Sequence, residues 1–174
     1  GGAGAVGHNA VQLAKWGGAT VIATASPSAF ERVKAAGADH VIDYRAADLA
    51  EQILSLTNGK GVDRAVEVEF GVNAALLAEV VRANGVIAAY GSQLDMAPTL
   101  PFGPFLFKAI TIDIVLVYIL EAAPRAAAIE KLHAALIEGA LKPAIHEILA
   151  LEDAARAHER VMTAGRNGAV LLKI

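Results

Sequence analysis

The chain has no cysteine among its 174 residues. That excludes a disulfide framework, a thiolate nucleophile and any cysteine-based zinc site. Aromatic residues are scarce, at 5%. No sign of charge dominates: the net charge is −3, so there is no electrostatic footprint for nucleic acid or an anionic membrane surface. Long apolar runs are missing too. The longest, Ala109 to Leu120, carries Thr111 and Asp113 and is too short to span a bilayer. No secretory signal pattern is visible. These absences predict a soluble, cytoplasmic protein that engages neither nucleic acid nor membrane, with a small molecule as its partner.

What is abundant is hydrophobic residues, at 55%, and glycine, at 16. Three of the glycines open the chain as G-x-G-x-x-G at Gly2, Gly4 and Gly7, followed at once by an amphipathic helical pattern. That arrangement is the turn that brings a backbone against a dinucleotide pyrophosphate. Gly2 allows the tight turn, Gly4 leaves room for phosphate, and Gly7 lets the helix lie close to the sheet. Ala5 and Val6 offer their amides at the positive end of the helix dipole. A glycine-rich helix entry without a ligand is the alternative.

Short apolar runs then alternate with helical patterns, which argues for β-α-β units and a parallel sheet. A helix is predicted over Val6–Trp16, with Val6, Ala10, Leu13 and Ala14 towards the sheet. Strands are predicted at 20–24, 40–44, 62–70, 86–90, 110–118, 145–149 and 169–173, and helices at 47–56, 73–82, 124–138 and 152–163. Ser26-Pro27 reads as a helix start with proline in its first turn, and Gly37 as that helix's end. Pro98, Pro101 and Pro104 mark a crossing loop. The pattern suits one dinucleotide-binding domain over residues 1–174.

Three further stretches make the pattern specific. They are Gly37-Ala38-Asp39-His40-Val41-Ile42-Asp43-Tyr44, then Gly85-Val86-Ile87-Ala88-Ala89-Tyr90-Gly91-Ser92, and the tail Ala157-His158 with Gly165-Arg166 before a last strand. With the opening glycines through Leu13-Ala14-Lys15, they resemble, in order and over nearly the whole chain, the nucleotide-binding half of the medium-chain dehydrogenase/reductases. The branch resembled is the NADPH:quinone oxidoreductase-like one, which usually lacks zinc. The resemblance implies an α/β fold, a Rossmann-type doubly wound parallel sheet with helices on both faces. It also implies a GroES-like substrate domain and a first, central strand, between the Thr20 and Val62 strands; these 174 residues supply neither.

NAD-specific sites place an acid at the end of the second Rossmann strand. Here Ala23-Thr24-Ala25-Ser26 stands there, so nothing repels a 2′-phosphate. Ser26 is expected as a helix cap, as a phosphate contact, or both. The resemblance places Tyr44 at a phosphate-contacting tyrosine. It also implies a lysine where Phe30 stands, with Arg32 and Arg45 as replacements. NADPH is therefore the expected cofactor, preferred over NADH.

Tyr90, Gly91 and Ser92 end a strand at the carboxyl edge, where open α/β sheets bind ligands, and the resemblance makes them nicotinamide-side contacts. Glu69 and Phe70 are expected to line the cofactor cleft. Glu67 and Glu69 share a strand face but read as structural rather than as an acid–base pair. Arg166 matches a family position near the cofactor, although Ala169 replaces the lysine usual there. His8 and Asn9 are expected at the surface or in packing. His133, His146 and His158 have no ligand spacing, so no metal is expected, and no catalytic residue is assigned. The Ile110–Tyr118 strand suits a homodimer edge or an edge covered within the monomer.

The expected function is that of the NADPH-binding domain of an oxidoreductase passing hydride to a quinone, enone or similar carbonyl compound. These residues alone are expected to be inactive, because nothing would hold the acceptor against the nicotinamide. A nucleotide-binding or sensor module without catalysis is the alternative.

Overall fold

The structure, a computed structural model, describes residues 1–163 and 165–174. It has the expected α/β class, with parallel strands and helices interleaved along the chain. The chain forms two compact units, residues 1–41 with 127–174, and residues 42–126. Among the described residues no helix is long and apolar enough to cross a membrane.

The first unit opens with α1 (Ala5–Trp16), followed by β1 (Ile22–Ala25), a 3-10 turn (Pro27–Ala29), α2 (Phe30–Ala35) and the start of β2 (His40–Asp43). β1 and β2 are neighbours in a two-stranded sheet. The core here is built of small residues: Val11, Val21, Ala23, Ala25, Ala29, Val33 and Ala38. Such side chains let helix and strand backbones approach closely. Gly37, with φ +106°, ends α2 in a conformation that favours glycine. Asp39 then ties the turn together. Its carboxylate accepts from Lys15 Nζ at 2.6 Å and from the Val21 amide at 2.8 Å.

The apolar stripe of α1 differs from the expected one. Val11 and Gln12 are its buried residues, while Val6 is 56% exposed. Gln12 is held in an amide clamp. It accepts from the Lys142 amide at 2.8 Å and donates to the Lys142 carbonyl at 3.3 Å. The rest of the unit comprises most of α6 (Ala122–Ile137), β6 (Ile145–Ala150), α7 (Ala154–Met162) and β7 (Ala169–Lys173). β6 and β7 pair in parallel.

The second unit carries the end of β2, then α3 (Leu49–Leu56), β3 (Val62–Glu67), α4 (Phe70–Val80), β4 (Val81–Ala89), α5 (Phe102–Phe107) and β5 (Thr111–Ile114). β3, β4 and β5 form one parallel sheet, with Glu67 opposite Ala89 and Ala89 opposite Ile114. Its core is Leu77, Ala78, Val81, Ile87, Ala89 and Phe105.

The strands therefore lie in three ladders, β1–β2, β3–β4–β5 and β6–β7.

Several boundaries moved. β3 stops at Glu67 rather than at Phe70, because the Glu67 carboxylate folds back to accept from the Glu69 amide at 2.6 Å. α4 consequently starts at Phe70 and ends at Val80. β4 begins at Val81, well before the expected Val86. Asn84, expected to close a helix, instead takes a φ of +57° inside a bulge opposite Asp63. At the end of α4 the Lys108 ammonium donates to the carbonyls of Ala78, Glu79 and Val81. It satisfies acceptors the helix leaves open, at the negative end of its dipole.

The Ile110–Tyr118 strand is shorter than expected, pairing over Thr111–Ile114 before a 3-10 turn at Val117–Ile119. β4 ends at Ala89, opposite Ile114, and the next residues turn towards β3, so β5 stops with its partner. The proline-bearing connection holds the unforeseen α5, whose Phe105 is buried.

Candidate functional site

In the first unit the glycine loop wraps the end of β1. The Gly2 amide donates to the Thr24 carbonyl at 2.9 Å, which anchors the loop on the strand. The Gly4 carbonyl accepts from His8 N at 2.8 Å and so starts α1. The next amides, Ala5, Val6 and Gly7, have no acceptor within the helix by its geometry. They sit at the positive end of its dipole.

The three glycines are needed for different reasons. A Cβ on Gly2 would press on Ala23 and Val33 at 3.0 and 3.1 Å. One on Gly7 would overlap the Gly1 carbonyl. Those two glycines serve the protein's own packing. A Cβ on Gly4 would meet only the Gly1 carbonyl, at an ordinary 3.5 Å, and Gly4 has an unstrained φ of −70°. Nothing in the fold requires Gly4 to be small. A ligand lying against the helix mouth does require it.

Beside Gly4 and Ala5 opens a pocket of about 70 Å³, walled by His8, Asn9 and Arg32 and by the backbone segments 143–144 and 168–169. His8 Nδ1 and Asn9 Oδ1 are buried there without a hydrogen-bond partner, as is Arg166 Nε. Burial first, and then the Arg32 charge, hold the His8 pKa below its usual value. Arg32 has no carboxylate partner among the described residues. The pocket was not foreseen. The sequence clue was His8 standing four residues after Gly4, on the same helix face.

Ser26 ends the loop side of this unit. It stands at the cap position of the 3-10 turn, but its hydroxyl makes no capping bond and lies 3.2 Å from Ser28 Oγ.

In the second unit the ends of β3 and β4 bring Glu69, Phe70, Tyr90, Gly91 and Ser92 together. The Tyr90 amide donates to the Glu67 carbonyl at 2.9 Å, and Phe70 N donates to the Gly91 carbonyl at 3.1 Å. Glu69 and Ser92 form an antiparallel bridge. The side chains of Glu67, Glu69 and Ser92 are engaged here. Glu67 Oε1 also accepts from Asn73 Nδ2 at 3.1 Å, and Glu69 Oε2 from the Leu94 amide at 3.0 Å. Ser92 Oγ accepts from the Gly71 amide at 2.7 Å and donates to the Asp95 carbonyl. Phe70 packs against the core of this unit. Tyr90 is half-buried, and desolvation, helped by the Glu67 charge, raises its phenol pKa.

Tyr44 lies apart from that cluster, just past β2. It is 48% exposed, with the Arg45 guanidinium 4.9 Å above its ring. It covers no core. Among the described residues no three histidine, aspartate or glutamate side chains gather as metal ligands, so the side chains here do not fit a zinc site.

The geometry now meets its relatives. The zinc-binding dehydrogenase family model matches residues 5–133. A trans-enoyl reductase of Aspergillus flavipes is 51% identical over 57 residues, which are 33% of this chain and 16% of that enzyme. A solved 2-haloacrylate reductase superposes with a TM-score of 0.88 at 26% identity, over 98% of this chain and 55% of that one. A quinone oxidoreductase of Pseudomonas syringae superposes with a TM-score of 0.82 at 28% identity, over 99% of this chain and 54% of that one. The chain thus spans about half the length of those two solved relatives. The match over most of its length places the chain in the zinc-binding dehydrogenase family, as the nucleotide-binding portion of a medium-chain dehydrogenase/reductase.

Proposed function

We propose that these residues form a single NADP(H)-binding domain of an oxidoreductase that reduces a quinone, an enone or a related electrophilic carbonyl compound. The observation that carries the nucleotide reading is Gly4. It is the one glycine of the loop whose smallness the fold itself does not need, and it faces the mouth of α1. The solved relatives named for quinone and haloacrylate reduction support the substrate class.

The nicotinamide supplies the hydride. The chain's part is to hold the diphosphate on the amides of Ala5 and Val6, with Gly2, Gly4 and Gly7 shaping the loop. In the second unit, the resemblance assigns the nicotinamide end to Glu69, Phe70, Tyr90, Gly91 and Ser92. Because the Glu69 carboxylate and the Ser92 hydroxyl are already bonded within the unit, these two act by shape and backbone position.

Preference for NADPH rests on the missing acid after β1, on the Ser26 hydroxyl, which pairs with Ser28 rather than capping the turn, and on Tyr44 with Arg45. Fluorescence titration with NADPH and NADH tests this. NADPH is expected to bind at least about tenfold tighter, one charged hydrogen bond being ~1.5–3 kcal/mol; tighter binding of NADH overturns the preference. The 174 residues alone are expected to turn over no quinone, and measurable turnover overturns that. β5 pairs only with β4 among the described residues, and Ile114 and Tyr118 are largely exposed. This supports a homodimer through that edge, and a monomer in sedimentation at micromolar concentration overturns it.

A further inference from the structure

We propose that His8 and Arg32 contact the nucleotide diphosphate in the pocket beside Gly4, and that nucleotide binding takes up one proton from solvent onto His8. This rests on the nucleotide-binding reading and goes beyond it by naming a proton-linked contact.

Three observations converge. First, His8 and Arg32 wall the same pocket as Gly4 and Ala5, so a diphosphate on those amides lies within their reach. Second, His8 Nδ1 is buried with no partner from the protein. A buried ring nitrogen without a bond is a cost that a bound acceptor removes. Third, the wall is electrostatically one-sided. Arg32 on α2 is its fixed cation, His8 on α1 is its titratable group, and no carboxylate lines it. The backbone segments 143–144 and 168–169 bring no charged side chain to the pocket, and their neighbours in sequence, Lys142 and Arg166, are also cationic.

Burial, and then the Arg32 guanidinium, disfavour the charged form of His8. A diphosphate reverses that balance, because its two negative charges stabilise the imidazolium and its oxygens accept from Nδ1–H. The nucleotide then binds more tightly as pH falls, up to the point where the free protein itself protonates. No bond is made or broken beyond the proton transfer from buffer to imidazole.

The test is calorimetric titration of the 174-residue chain with NADP+ between pH 6 and 8.5. Buffers of differing ionisation heat give the number of protons taken up, and His8→Gln and Arg32→Gln are measured alongside. The 2′-phosphate of NADP+ titrates identically for every variant, so differences between proteins isolate His8. Wild type is expected to take up a fraction of a proton near neutral pH. Its affinity, relative to His8→Gln, should rise about threefold to tenfold from pH 8 to pH 6. Arg32→Gln is expected to bind about tenfold more weakly at pH 8, with the uptake midpoint moved to higher pH. A role in packing alone would not move that midpoint.

Equal proton counts and equal pH slopes in wild type and His8→Gln, with binding intact, overturn the proposal and leave the nucleotide reading standing. That is also what a water bonded to Nδ1 would give. Failure of wild type to bind NADP+ or NAD+ at any pH overturns the nucleotide reading itself. Titration of wild type with NAD+, which carries no 2′-phosphate, gives the His8 proton count without a variant, so misfolding of His8→Gln leaves the test decisive.

Discussion

The helix mouth of the first unit and the strand-end cluster of the second are both assigned to the cofactor, yet they are built in opposite ways. At the mouth, polar atoms are left over: among the described residues His8 Nδ1 and Asn9 Oδ1 find no partner and Arg32 no carboxylate, and a Cβ on Gly4 would meet only the Gly1 carbonyl at 3.5 Å. In the cluster, Glu67, Glu69 and Ser92 spend their side chains on neighbouring backbone groups, and Asn73 donates to the Glu67 carboxylate. Unsatisfied buried groups are costly in a folded protein, and they persist where a ligand completes them. A strand end whose groups are already bonded presents a fixed backbone surface. On the proposed function, the first region meets the cofactor's charge and the second its shape.

The sharpest way to break that contrast is to add one methyl group at each glycine of the loop. Gly4→Ala has room for its Cβ, so stability should change by less than about 0.5 kcal/mol. Affinity for NADPH should nevertheless fall by about a hundredfold or more, since the methyl occupies the approach of the diphosphate, ~3 kcal/mol of lost contact. Gly7→Ala should do the reverse of this pairing. Its Cβ overlaps the Gly1 carbonyl, an overpacking cost of about 1–3 kcal/mol in the folded chain. Denaturant melts and fluorescence titrations of both variants decide the matter. A Gly4→Ala protein that binds NADPH like wild type ends the reading of that glycine as a ligand position.

Gln12 offers the next effect. It lies beneath the mouth, and its amide clamps both backbone groups of Lys142. Gln12→Leu keeps the volume but strands that amide and carbonyl, so a loss of about 1–3 kcal/mol is expected in urea melts. The second unit gives a smaller one. Ser92→Ala removes the acceptor of the Gly71 amide and should cost ~1 kcal/mol, with NADPH affinity changed less than in Gly4→Ala. An affinity loss in Ser92→Ala equal to that of Gly4→Ala would show that the cluster binds through its hydroxyl, against the division drawn here.

Much of this was legible because it is local. The glycine spacing placed α1 within a residue of its observed start, and the last strand has the expected bounds, Ala169–Lys173. What was illegible came from interactions across the sequence. The alternation Val66-Glu67-Val68-Glu69-Phe70 reads as uninterrupted strand by its period. A side-chain bond from Glu67 to the next turn stops it instead. The buried face of α1 was misplaced for a similar reason. Gln12 is polar, and the partner that makes its burial tolerable lies 130 residues on. The expected strand-end residues do lie together, whereas the pocket was missed, since Arg32 reaches it from a different helix.

The smallest expected effect concerns acid stability, and the two groups that carry it lie in the first unit. Asp39, bonded to Lys15 and to the Val21 amide, has its pKa held below the ordinary aspartate value of 3.8. A depressed carboxylate contributes stability above its unfolded pKa and loses it as pH falls through the folded one. His8 acts in the same direction from a higher pH. Its pKa lies below the ordinary 6.5, so the unfolded chain takes the proton first and stability falls as pH drops below that value. Both groups belong to the first unit. Melting temperature should therefore decline in two shallow steps, one beginning near pH 6.5 and one below pH 3.8. His8→Gln should remove the upper step and Asp39→Asn the lower. Saturating NADP+ should invert the upper step alone, because a protonated His8 then faces an anion. An upper step unchanged by His8→Gln would assign it to another group and dissolve the contrast between a titrating mouth and a fixed cluster.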